Sequence, residues 1–492
     1  MSMIKVEDLT FSYPTGYDNI FENASFQIDT DWKLGFVGRN GRGKTTLLRL
    51  LMGEYEYSGR IESSVRFDYF PYPVADESLP TGEVLRRVCP GAEEWELLRE
   101  LSYLEVGPEV LQRHFETLSN GERTKVLLAA LFLNEGNFLL IDEPTNHLDS
   151  KGRKLVSAYL KRKKGFILVS HDRCFLDGCV DHILSLNRAS IEVQSGNFSS
   201  WMANFERQQE SELAQNRHLQ KDIGRLRQAA GRTSTWSDKV EKSKWAGASG
   251  EKVPDRGFVG HKAAKMMKRS KTIEARQQKA AEEKAGLLKD LETVRDIKLV
   301  PLSYYADTLA SFSDVAVRYG EREVCPPVSF TVRRGDRIAI DGKNGSGKSS
   351  LLKILMGQPI GHTGTARIGS GLEISYIPQD TSHLRGSLAE FARENRVDES
   401  LLKALLRQLD IERGQFEKDM TEFSGGQKKK VLIAKSLCDR AHLYVWDEPL
   451  NFIDIYSRMQ IQRLIDEFSP TMVFVEHDGA FRDAVATKTV RL

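Results

Sequence analysis

Two stretches of the sequence place a lysine and a hydroxyl residue behind a glycine-rich loop. The first reads GRNGRGKT from Gly38 to Thr45, and the second reads GKNGSGKS from Gly342 to Ser349. Each follows an apolar run and precedes a helix-forming run, so the pattern predicts a strand, a loop and a helix. Such a loop binds phosphates, because its backbone N–H groups and the helix N-terminus face them. The lysine reaches the β- and γ-phosphates, and the hydroxyl holds Mg²⁺.

The two loops supply the first set of candidate nucleotide ligands. In the first loop these are Gly38, Asn40, Gly41, Gly43, Lys44, Thr45 and Thr46, and in the second they are Gly342, Asn344, Gly345, Gly347, Lys348, Ser349 and Ser350. A structural glycine turn is the alternative interpretation for one loop alone. Its recurrence in the same context argues against that alternative.

Two acidic pairs follow apolar runs later in the chain. They are Asp142-Glu143 and Asp447-Glu448, and each is predicted to end a buried parallel strand. In a phosphoryl-transfer site the aspartate holds Mg²⁺ and the glutamate polarises the attacking water. The alternative interpretation is that the acidic pairs are only solvated strand ends. The phosphate loop in each half argues against this alternative. We therefore expect Asp142 and Asp447 at the metal and Glu143 and Glu448 at the water.

His171 and His477 each follow another apolar run. The carboxyl ends of parallel strands are where open α/β sheets bind their ligands. A single histidine at such a place is more often structural. Because the histidine is duplicated, we interpret both residues as contacts of the γ-phosphate.

The spacing of these motifs reveals an internal repeat. The phosphate loops lie 304 residues apart, the acidic pairs 305 and the histidines 306. The chain is therefore predicted to contain two tandem α/β nucleotide-binding domains, residues 1–200 and 303–492. A dissimilar segment, residues 201–302, joins them.

Length and composition exclude several classes of protein. The 492 residues are 40% hydrophobic and 28% charged, which is typical of a folded globular chain. The apolar runs are much shorter than a membrane helix requires, and the N-terminus lacks the apolar core of a signal peptide. The five cysteines have no CxxC spacing, which argues against disulfides and metal clusters. These features predict a cytoplasmic protein.

The joining segment concentrates positive charge. The chain carries a net charge of +2, yet residues 221–280 contain 16 Lys and Arg against 6 Asp and Glu. Residues 201–232 and 262–295 have the composition of long helices, and residues 233–261 contain Pro254 and several glycines. The pattern predicts a long antiparallel helical hairpin with a tip loop at about 233–261.

Aromatic residues lie among the lysines of this hairpin. Such a surface neutralises phosphates and stacks on unpaired bases, as in proteins that bind irregular RNA. A solvated helix face is the alternative interpretation of a charge run. The predicted RNA contacts are Trp236, Lys242, Lys244, Trp245, Phe258, Lys265, Lys268 and Arg269.

The order of the motifs resembles the nucleotide-binding domain of ABC ATPases. Between phosphate loop and acidic pair each half carries a signature, LSNGE in the first and FSGGQ in the second. The resemblance covers nearly four-fifths of the chain and implies that the two domains sandwich two ATP molecules head to tail. Each phosphate loop would then face the signature of the other half. The signature residues so implied are Ser119, Gly121 and Glu122 in the first half and Ser424, Gly425, Gly426 and Gln427 in the second.

The resemblance also assigns residues outside these motifs. It implies that Tyr13 and Tyr319 stack on adenine and that Gln379, in SYIPQD, contributes to the Mg²⁺ site. The matching stretch of the first half, DYFPYP, has Tyr72 in place of the glutamine. Because a phenol cannot offer an amide oxygen, we expect the two sites to differ. Asn120 replaces a signature glycine, and asparagine tolerates positive φ better than most residues.

Tandem ATPase domains joined by a basic helical hairpin resemble the ABC-F family of translation factors. The stretches GFILVSHDR, KMMKRSK and WDEPLNFID look like its Lsa-type antibiotic-resistance branch. The resemblance implies a monomer that binds the 70S ribosome, with its hairpin near 23S rRNA and the P-site tRNA. It would protect ribosomes from lincosamides, pleuromutilins and streptogramin A. Two rivals remain: the ATPase subunit of a drug exporter, and a housekeeping ABC-F translation factor.

Overall fold

The computed structural model describes residues 2–14, 19–134, 136–146, 148–186, 191–243, 276, 301–320, 322–343 and 345–492. The chain forms two compact units, which are Met1–Trp201 with Asp296–Leu492, and Met202–Arg295. Both halves of the repeat lie in the first unit. The separate boundaries predicted for each ATPase domain therefore stay a prediction.

The first half contains a mostly parallel sheet and a small antiparallel one. Its strands are β1 (Met3–Phe11), β2 (Phe21–Asp29), β3 (Lys33–Gly38), β4 (Ser58–Glu62), β5 (Arg66–Phe70), β6 (Asn137–Asp142), β7 (Phe166–Val169), β8 (His182–Leu186) and β9 (Ile191–Ser195). The larger sheet has the order β5-β6-β7-β3-β8-β9, in which β9 alone runs antiparallel, and the smaller has the order β2-β1-β4.

Helices cover the larger sheet of the first half. They are α1 (Lys44–Leu51), α2 (Thr81–Val88), α3 (Glu94–Tyr103), α4 (Asn120–Leu131), α5 (Ser150–Lys161) and α6 (Arg173–Cys179), with 3-10 turns at Pro108–Gln112 and Phe115–Thr117. Strand β7 is buried along its whole length, and its sequence FILV is apolar at every position. A strand covered on both faces needs such a run, because neither face meets water.

The second half repeats this architecture. Its strands are β10 (Thr308–Tyr319), β11 (Arg322–Glu323), β12 (Val328–Arg333), β13 (Arg337–Asp341), β14 (His362–Ile368), β15 (Ile374–Ile377), β16 (Leu443–Asp447), β17 (Met472–Val475) and β18 (Lys488–Arg491). Its helices are α8 (Lys348–Leu355), α9 (Leu388–Glu394), α10 (Glu399–Gln408), α11 (Gly425–Cys438), α12 (Ile455–Phe468) and α13 (Gly479–Val485), with 3-10 turns at Arg413–Glu417 and Met420–Glu422. Strands β15-β16-β17-β13-β18 form the parallel sheet, while β10 pairs with β11, β12 and β14.

The sheet order brings the three motifs of each half to one edge. In the first half, β7 lies between β3, which leads into the phosphate loop, and β6, which ends in the acidic pair. Val169 on β7 pairs with both Phe36 and Asp142. In the second half, Val475 on β17 likewise pairs with both Ile340 and Asp447. The carboxyl ends of three neighbouring strands thus form each site.

A single long helix, α7 (Phe198–Ser243), follows the first half. It was predicted to end at 232, and the structure corrects that end to Ser243. The physical reason is that residues 233–243 contain neither glycine nor proline, so nothing in this stretch breaks the helix. Its 46 residues span about 69 Å at about 1.5 Å per residue. The second predicted helix lies outside the described residues except for Arg276, which is helical.

Candidate functional site

Both phosphate loops pass through the left-handed region of backbone conformation. The φ angles are 78° and 97° at Gly41 and Gly43, and 78° and 86° at Gly345 and Gly347. A side chain at Gly43 would also bring a Cβ within 2.5 Å of Ile20 Cγ2. Glycine is therefore required here for both conformation and space. Each loop ends at the first turn of its helix, where free N–H groups favour an anion.

The loop lysines are buried over the loops themselves. Lys44 is 8% exposed and Lys348 is 6% exposed. Lys44 Nζ donates to the carbonyl oxygen of Gly38 at 2.7 Å, and Lys348 Nζ donates to that of Gly342 at 2.9 Å. Burial lowers the pKa of both lysines, and the negative charge of nearby carboxylates opposes part of this lowering. Each ammonium group is thus held where a phosphate group would meet it.

A hydroxyl and a carboxylate meet at each predicted metal position. Thr45 Oγ1 donates to Asp142 Oδ2 at 2.8 Å, and the hydroxyl of Ser349 bonds to Asp447. Asp447 is 2% exposed, and within the described part of the chain its Oδ1 has no hydrogen-bond partner. Such hard oxygen donors, one of them buried and unsatisfied, fit a Mg²⁺ ion.

Glu448 is held by three side chains. Gln379 Nε2 and Asn451 Nδ2 each donate to Glu448 Oε2 at 2.8 Å, and His477 Nε2 lies 3.3 Å from Oε1. Burial alone would raise the pKa of Glu448, but bonds and charge from His477, together with Asn451 and Lys348, lower it to about 2. The carboxylate is therefore ionised at neutral pH and fixed at the end of β16.

Glu143 occupies the equivalent position in a different environment. His171 Nε2 lies 3.2 Å from Glu143 Oε1. Burial, with the neighbouring charge of Asp142, raises the pKa of Glu143 to about 8. Burial also lowers the pKa of His171, so this histidine is neutral at pH 7. Both glutamates adopt positive φ, 50° at Glu143 and 49° at Glu448, a strained conformation that recurs at functional sites.

The two tyrosines assigned to adenine lie beside the phosphate loops. Tyr13 is 37% exposed and its hydroxyl is 2.9 Å from Thr46 Oγ1. Tyr319 is 53% exposed and its hydroxyl is 3.0 Å from Ser350 Oγ. Each hydroxyl is anchored on the helix after the loop. An exposed ring anchored in this way offers a surface for a nucleobase.

The two signatures form the N-termini of α4 and α11. Ser119 caps α4 in a capping box with Glu122, and Ser424 caps α11 in a capping box with Gln427. These reciprocal hydrogen bonds fix the first turn of each helix. Both N-termini therefore present backbone N–H groups, which favour a phosphate.

The second phosphate loop and the first signature line one cleft of about 900 Å³. From the second half it is lined by Gly345, Gly347, Lys348, Ser349, Ser350, Gln379, Glu448 and His477, and from the first half by Ser119, Asn120, Gly121 and Glu122. The structure thus brings these residues of the two halves together in one cleft, which is the head-to-tail arrangement that the resemblance to ABC ATPases implied. The cleft is large enough for a nucleotide.

The first phosphate loop approaches the second signature in the same way. Asn40 Nδ2 donates to the carbonyl oxygen of Phe452 at 2.7 Å. A Cβ at Gly426 would lie 2.6 Å from that oxygen and 3.4 Å from Asn40 Nδ2. Two residues of the second half also act electrostatically on the first site: the charge of Asp454 acts on Lys44, and that of Arg458 acts on Glu143. Both predicted sites are therefore shared between halves.

Several residues of the sites escaped the sequence analysis. Tyr69 donates to Asp142 Oδ2 at 3.0 Å, Asn451 donates to Glu448, and Lys429, which is 3% exposed, donates to the carbonyl oxygen of Pro378 at 2.9 Å. The short spacing of Asn451 from the acidic pair could have revealed it. Tyr69 shares the stretch DYFPYP with Tyr72, but nothing in that stretch indicates which tyrosine bonds to the aspartate.

Some predicted residues cannot be placed. Asn344 of the second loop lies outside the described residues, as do Lys244, Trp245, Phe258, Lys265, Lys268 and Arg269 of the hairpin. Trp236 and Lys242 lie on α7, whose backbone is described there. All of the RNA contacts therefore stay predictions.

A family model described as ABC transporter matches residues 21–146 and 325–451. Among the described residues, no helix is long and apolar enough to cross a membrane.

Two curated relatives align along almost the whole chain. The ribosome protection protein VmlR of Bacillus subtilis is 27% identical, over 96% of this chain and 83% of its own. The energy-dependent translational throttle protein EttA of Escherichia coli K12 is 26% identical, over 95% of this chain and 88% of its own.

Solved structures share the fold. An archaeal ribosome recycling factor, aABCE1, crystallised with the stalk protein aP1, matches with a TM-score of 0.66 at 20% identity, covering 98% of this chain and 87% of that one. Two matches to the same family model, each spanning a phosphate loop, a signature and an acidic pair, agree with the two composite sites described above. The chain therefore belongs to the ABC transporter family, as a tandem ATPase of its ABC-F group.

Proposed function

We propose that this ATPase protects ribosomes from antibiotics that act at the peptidyl-transferase centre, namely lincosamides, pleuromutilins and streptogramin A. It binds the 70S ribosome as a monomer in the cytoplasm. Residues 201–302 enter near the exit site and contact 23S rRNA and the P-site tRNA. ATP and Mg²⁺ bind between the two halves, and hydrolysis releases the protein.

The observation that carries this proposal is the composite cleft. Lys348 and Ser119 come from different halves and line the same space, so ATP bound there touches both halves. Residues 201–302 join these halves covalently, so closure on ATP acts on both ends of the basic segment. Phosphate-binding lysines at 221–280 suit a partner made of RNA.

The relatives support a partner of this kind. VmlR is named a ribosome protection protein, and EttA is named a translational throttle protein. The alignment with each covers at least 95% of this chain. We therefore extend ribosome binding to this chain and the protective role of VmlR to its function.

The chemistry of hydrolysis follows from the side chains at the second site. Lys348 and the N-terminus of α8 bind the phosphates, and Asp447 with Ser349 holds Mg²⁺, which neutralises phosphate charge when bound. Glu448 is ionised and accepts hydrogen bonds from Gln379 and Asn451, so it can orient a water on the γ-phosphate. Lys44, Thr45 and Asp142 perform the same roles at the first site, whereas Glu143, whose pKa is raised to about 8, must lose its proton before it can orient a water in the same way.

A housekeeping translation factor is the second candidate. EttA matches this chain at 26% identity and VmlR at 27%, so similarity does not separate the two roles. Both candidates share the ATPase cycle and the ribosome. They differ in whether the chain changes drug susceptibility.

Expression in a drug-sensitive bacterium tests the proposal. We expect the inhibitory concentrations of a lincosamide, a pleuromutilin and a streptogramin A to rise several-fold. The matched control is the chain with Lys44→Ala and Lys348→Ala, expressed to the same level, which should give no rise. Ribosome binding with unchanged susceptibility would favour the housekeeping factor. Sedimentation with membranes instead of ribosomes would favour the exporter subunit and contradict the proposal.

A further inference from the structure

An ion pair joins the first phosphate loop to the second half of the chain. Arg39 Nη1 lies 2.7 Å from Asp410 Oδ1, and the two side chains are 25% and 12% exposed. The guanidinium also lies over the ring of Tyr456, 5.6 Å from its centroid. Arg39 directly precedes Asn40, which contacts Phe452 of the second half. Two neighbouring residues of the first phosphate loop, Arg39 and Asn40, therefore bind the second half next to the first ATP site.

The conformation of Asp410 is unusual for a residue with a side chain. Its φ is 66°, just after α10, and Glu105 has a φ of 50° at the equivalent point after α3. Glycine and asparagine are the residues that adopt this conformation most readily, and a side chain there carries strain. Both halves nevertheless place a carboxylate at this turn.

The internal repeat defines the equivalent set at the second site. At the offsets of the motifs, Lys343 corresponds to Arg39, Glu105 to Asp410 and Lys151 to Tyr456. Glu105 and Lys151 both line the cleft that holds Lys348. The second site thus has an acidic residue facing its phosphate loop, as the first site does.

The second set is connected differently. Glu105 Oε2 lies 2.6 Å from Lys151 Nζ, so the acidic residue is paired within its own half. Lys343 is exposed and makes no ion pair within the described residues. Lys151 stands at the position that Tyr456 has in the first site. Its ammonium group pairs with the carboxylate of Glu105, which Lys343 of the loop could otherwise bind.

We propose that Arg39 is a positioning residue of the first ATP site, and that its ion pair with Asp410 keeps this site closed while the second site exchanges nucleotide. A partly buried arginine pair supported by an aromatic ring is held more firmly than an exposed lysine pair. The first site therefore acts as the stable joint between the halves. The second site, where Lys151 neutralises Glu105, is the one that opens.

Release of a fluorescent ATP analogue tests this assignment. The protein with Glu143→Gln and Glu448→Gln is loaded with mant-ATP and Mg²⁺ and chased with excess ATP in a stopped-flow instrument. We expect a slow phase from the first site and a fast phase from the second. Adding Lys348→Ala, which removes nucleotide from the second site, should abolish the fast phase and so identify it.

Breaking the pair should act on one phase. Arg39→Gln or Asp410→Asn should accelerate the slow phase about tenfold and leave the fast phase unchanged, because loss of one partner of an interfacial pair acts mainly on dissociation. The conservative change Arg39→Lys, which keeps a positive charge in the loop, should retain more of the slow release than Arg39→Gln does. Lys403→Gln is the matched control, because it breaks an exposed pair with Glu399 within α10 that joins no halves.

A further variant tests whether the second site can be made to release nucleotide more slowly. Lys151→Tyr copies the first-site residue, frees Glu105 and should slow the fast phase. This variant leaves the first phosphate loop intact, so it tests the proposal even if the Arg39 variants fail to fold. The proposal is overturned if Arg39→Gln and Asp410→Asn leave the slow phase unchanged, if they accelerate both phases equally, or if Lys151→Tyr does not slow the fast phase.

Discussion

Gln379 Nε2 donates to Glu448 Oε2 at 2.8 Å, so the residue expected at the metal also fixes the carboxylate that faces the water. The first half has the half-buried Tyr72 at the equivalent position. The two halves therefore differ at this position of the repeat, where Gln379 in the second half corresponds to Tyr72 in the first.

Tyr72→Gln is expected to raise ATP turnover at the first site several-fold, because an amide would hold Glu143 as Gln379 holds Glu448. Steady-state ATPase activity in a Glu448→Gln background isolates the first site. The reverse change, Gln379→Tyr in a Glu143→Gln background, should lower turnover at the second site. Unchanged or lower turnover with Tyr72→Gln would mean that the tyrosine has a role of its own.

Tyr69→Phe is expected to raise several-fold the Mg²⁺ concentration needed for tight mant-ATP binding at the first site. The reason is that Tyr69 donates to Asp142 Oδ2 and orients the carboxylate that holds the ion. The measurement is a Mg²⁺ titration of nucleotide binding in the presence of Lys348→Ala. Tyr376→Phe, the equivalent change in the second half, is the control and should not affect this titration.

The buried pair of Lys430 and Asp454 should govern the stability of the second half. Their Nζ and Oδ2 atoms lie 2.8 Å apart, and the side chains are 4% and 0% exposed. Lys430→Met should cost about 3–5 kcal/mol in the free energy of unfolding at pH 7, because it leaves a buried charge unpaired. The double change Lys430→Met with Asp454→Asn should recover part of that loss, because asparagine carries no charge and can still accept from the backbone N–H of Ser457 at the start of α12. Urea denaturation of all three proteins makes the comparison.

The same pair should make stability depend on acid. Burial opposes ionisation of Asp454, yet the charge and hydrogen bond of Lys430 hold its pKa well below 3.8. A depressed carboxyl pKa contributes stability that is present above the unfolded-state value and is lost as pH falls toward the folded-state value. The difference in unfolding free energy between the parent and Asp454→Asn should therefore shrink below about pH 4. A difference that stays constant to pH 2.5 would contradict this origin.

Local patterns in the sequence were enough to predict most of the fold and of each site. Strands β3, β6 and β7 are short apolar runs that end in Gly38, Asp142 and the residue before Ser170, and parallel strands bring such ends together. The head-to-tail arrangement was predicted from the family resemblance, and the cleft lined by Lys348 and Ser119 has that arrangement.

The features that the sequence did not predict depend on long-range packing or on weak local signals. Arg39 and Asp410 are far apart in the chain, so no local pattern in the sequence links them. The end of α7 was misplaced because residues 233–243 are polar and rich in Ser and Thr, although they contain neither glycine nor proline to stop a helix. The opposite pKa directions of Glu143 and Glu448 arise from burial and partners that spacing does not reveal.

Removal of residues 236–258, which are the end of α7 and the part of the predicted tip that follows it, is expected to abolish drug protection while leaving ATPase activity and most ribosome affinity intact. The reason is that we expect lysines elsewhere in the basic segment to supply the salt-dependent part of binding to RNA. The measurement is lincomycin inhibition in a purified translation system, with ATP turnover measured on the same preparations. Full protection by the shortened chain would show that these residues are not needed for protection and would favour the alternative interpretation, a solvated linker.

The most direct test of the account is co-sedimentation of the Glu143→Gln, Glu448→Gln protein with 70S ribosomes. These changes keep the predicted metal ligands Asp142 and Asp447 and remove only the carboxylates that are predicted to polarise the attacking water, so ATP should bind without being hydrolysed. We predict that this protein sediments with ribosomes in ATP far more than the parent does, and that ADP abolishes the difference. Equal sedimentation of the two proteins in ATP, or binding that does not depend on the nucleotide, would contradict ATP-gated ribosome binding.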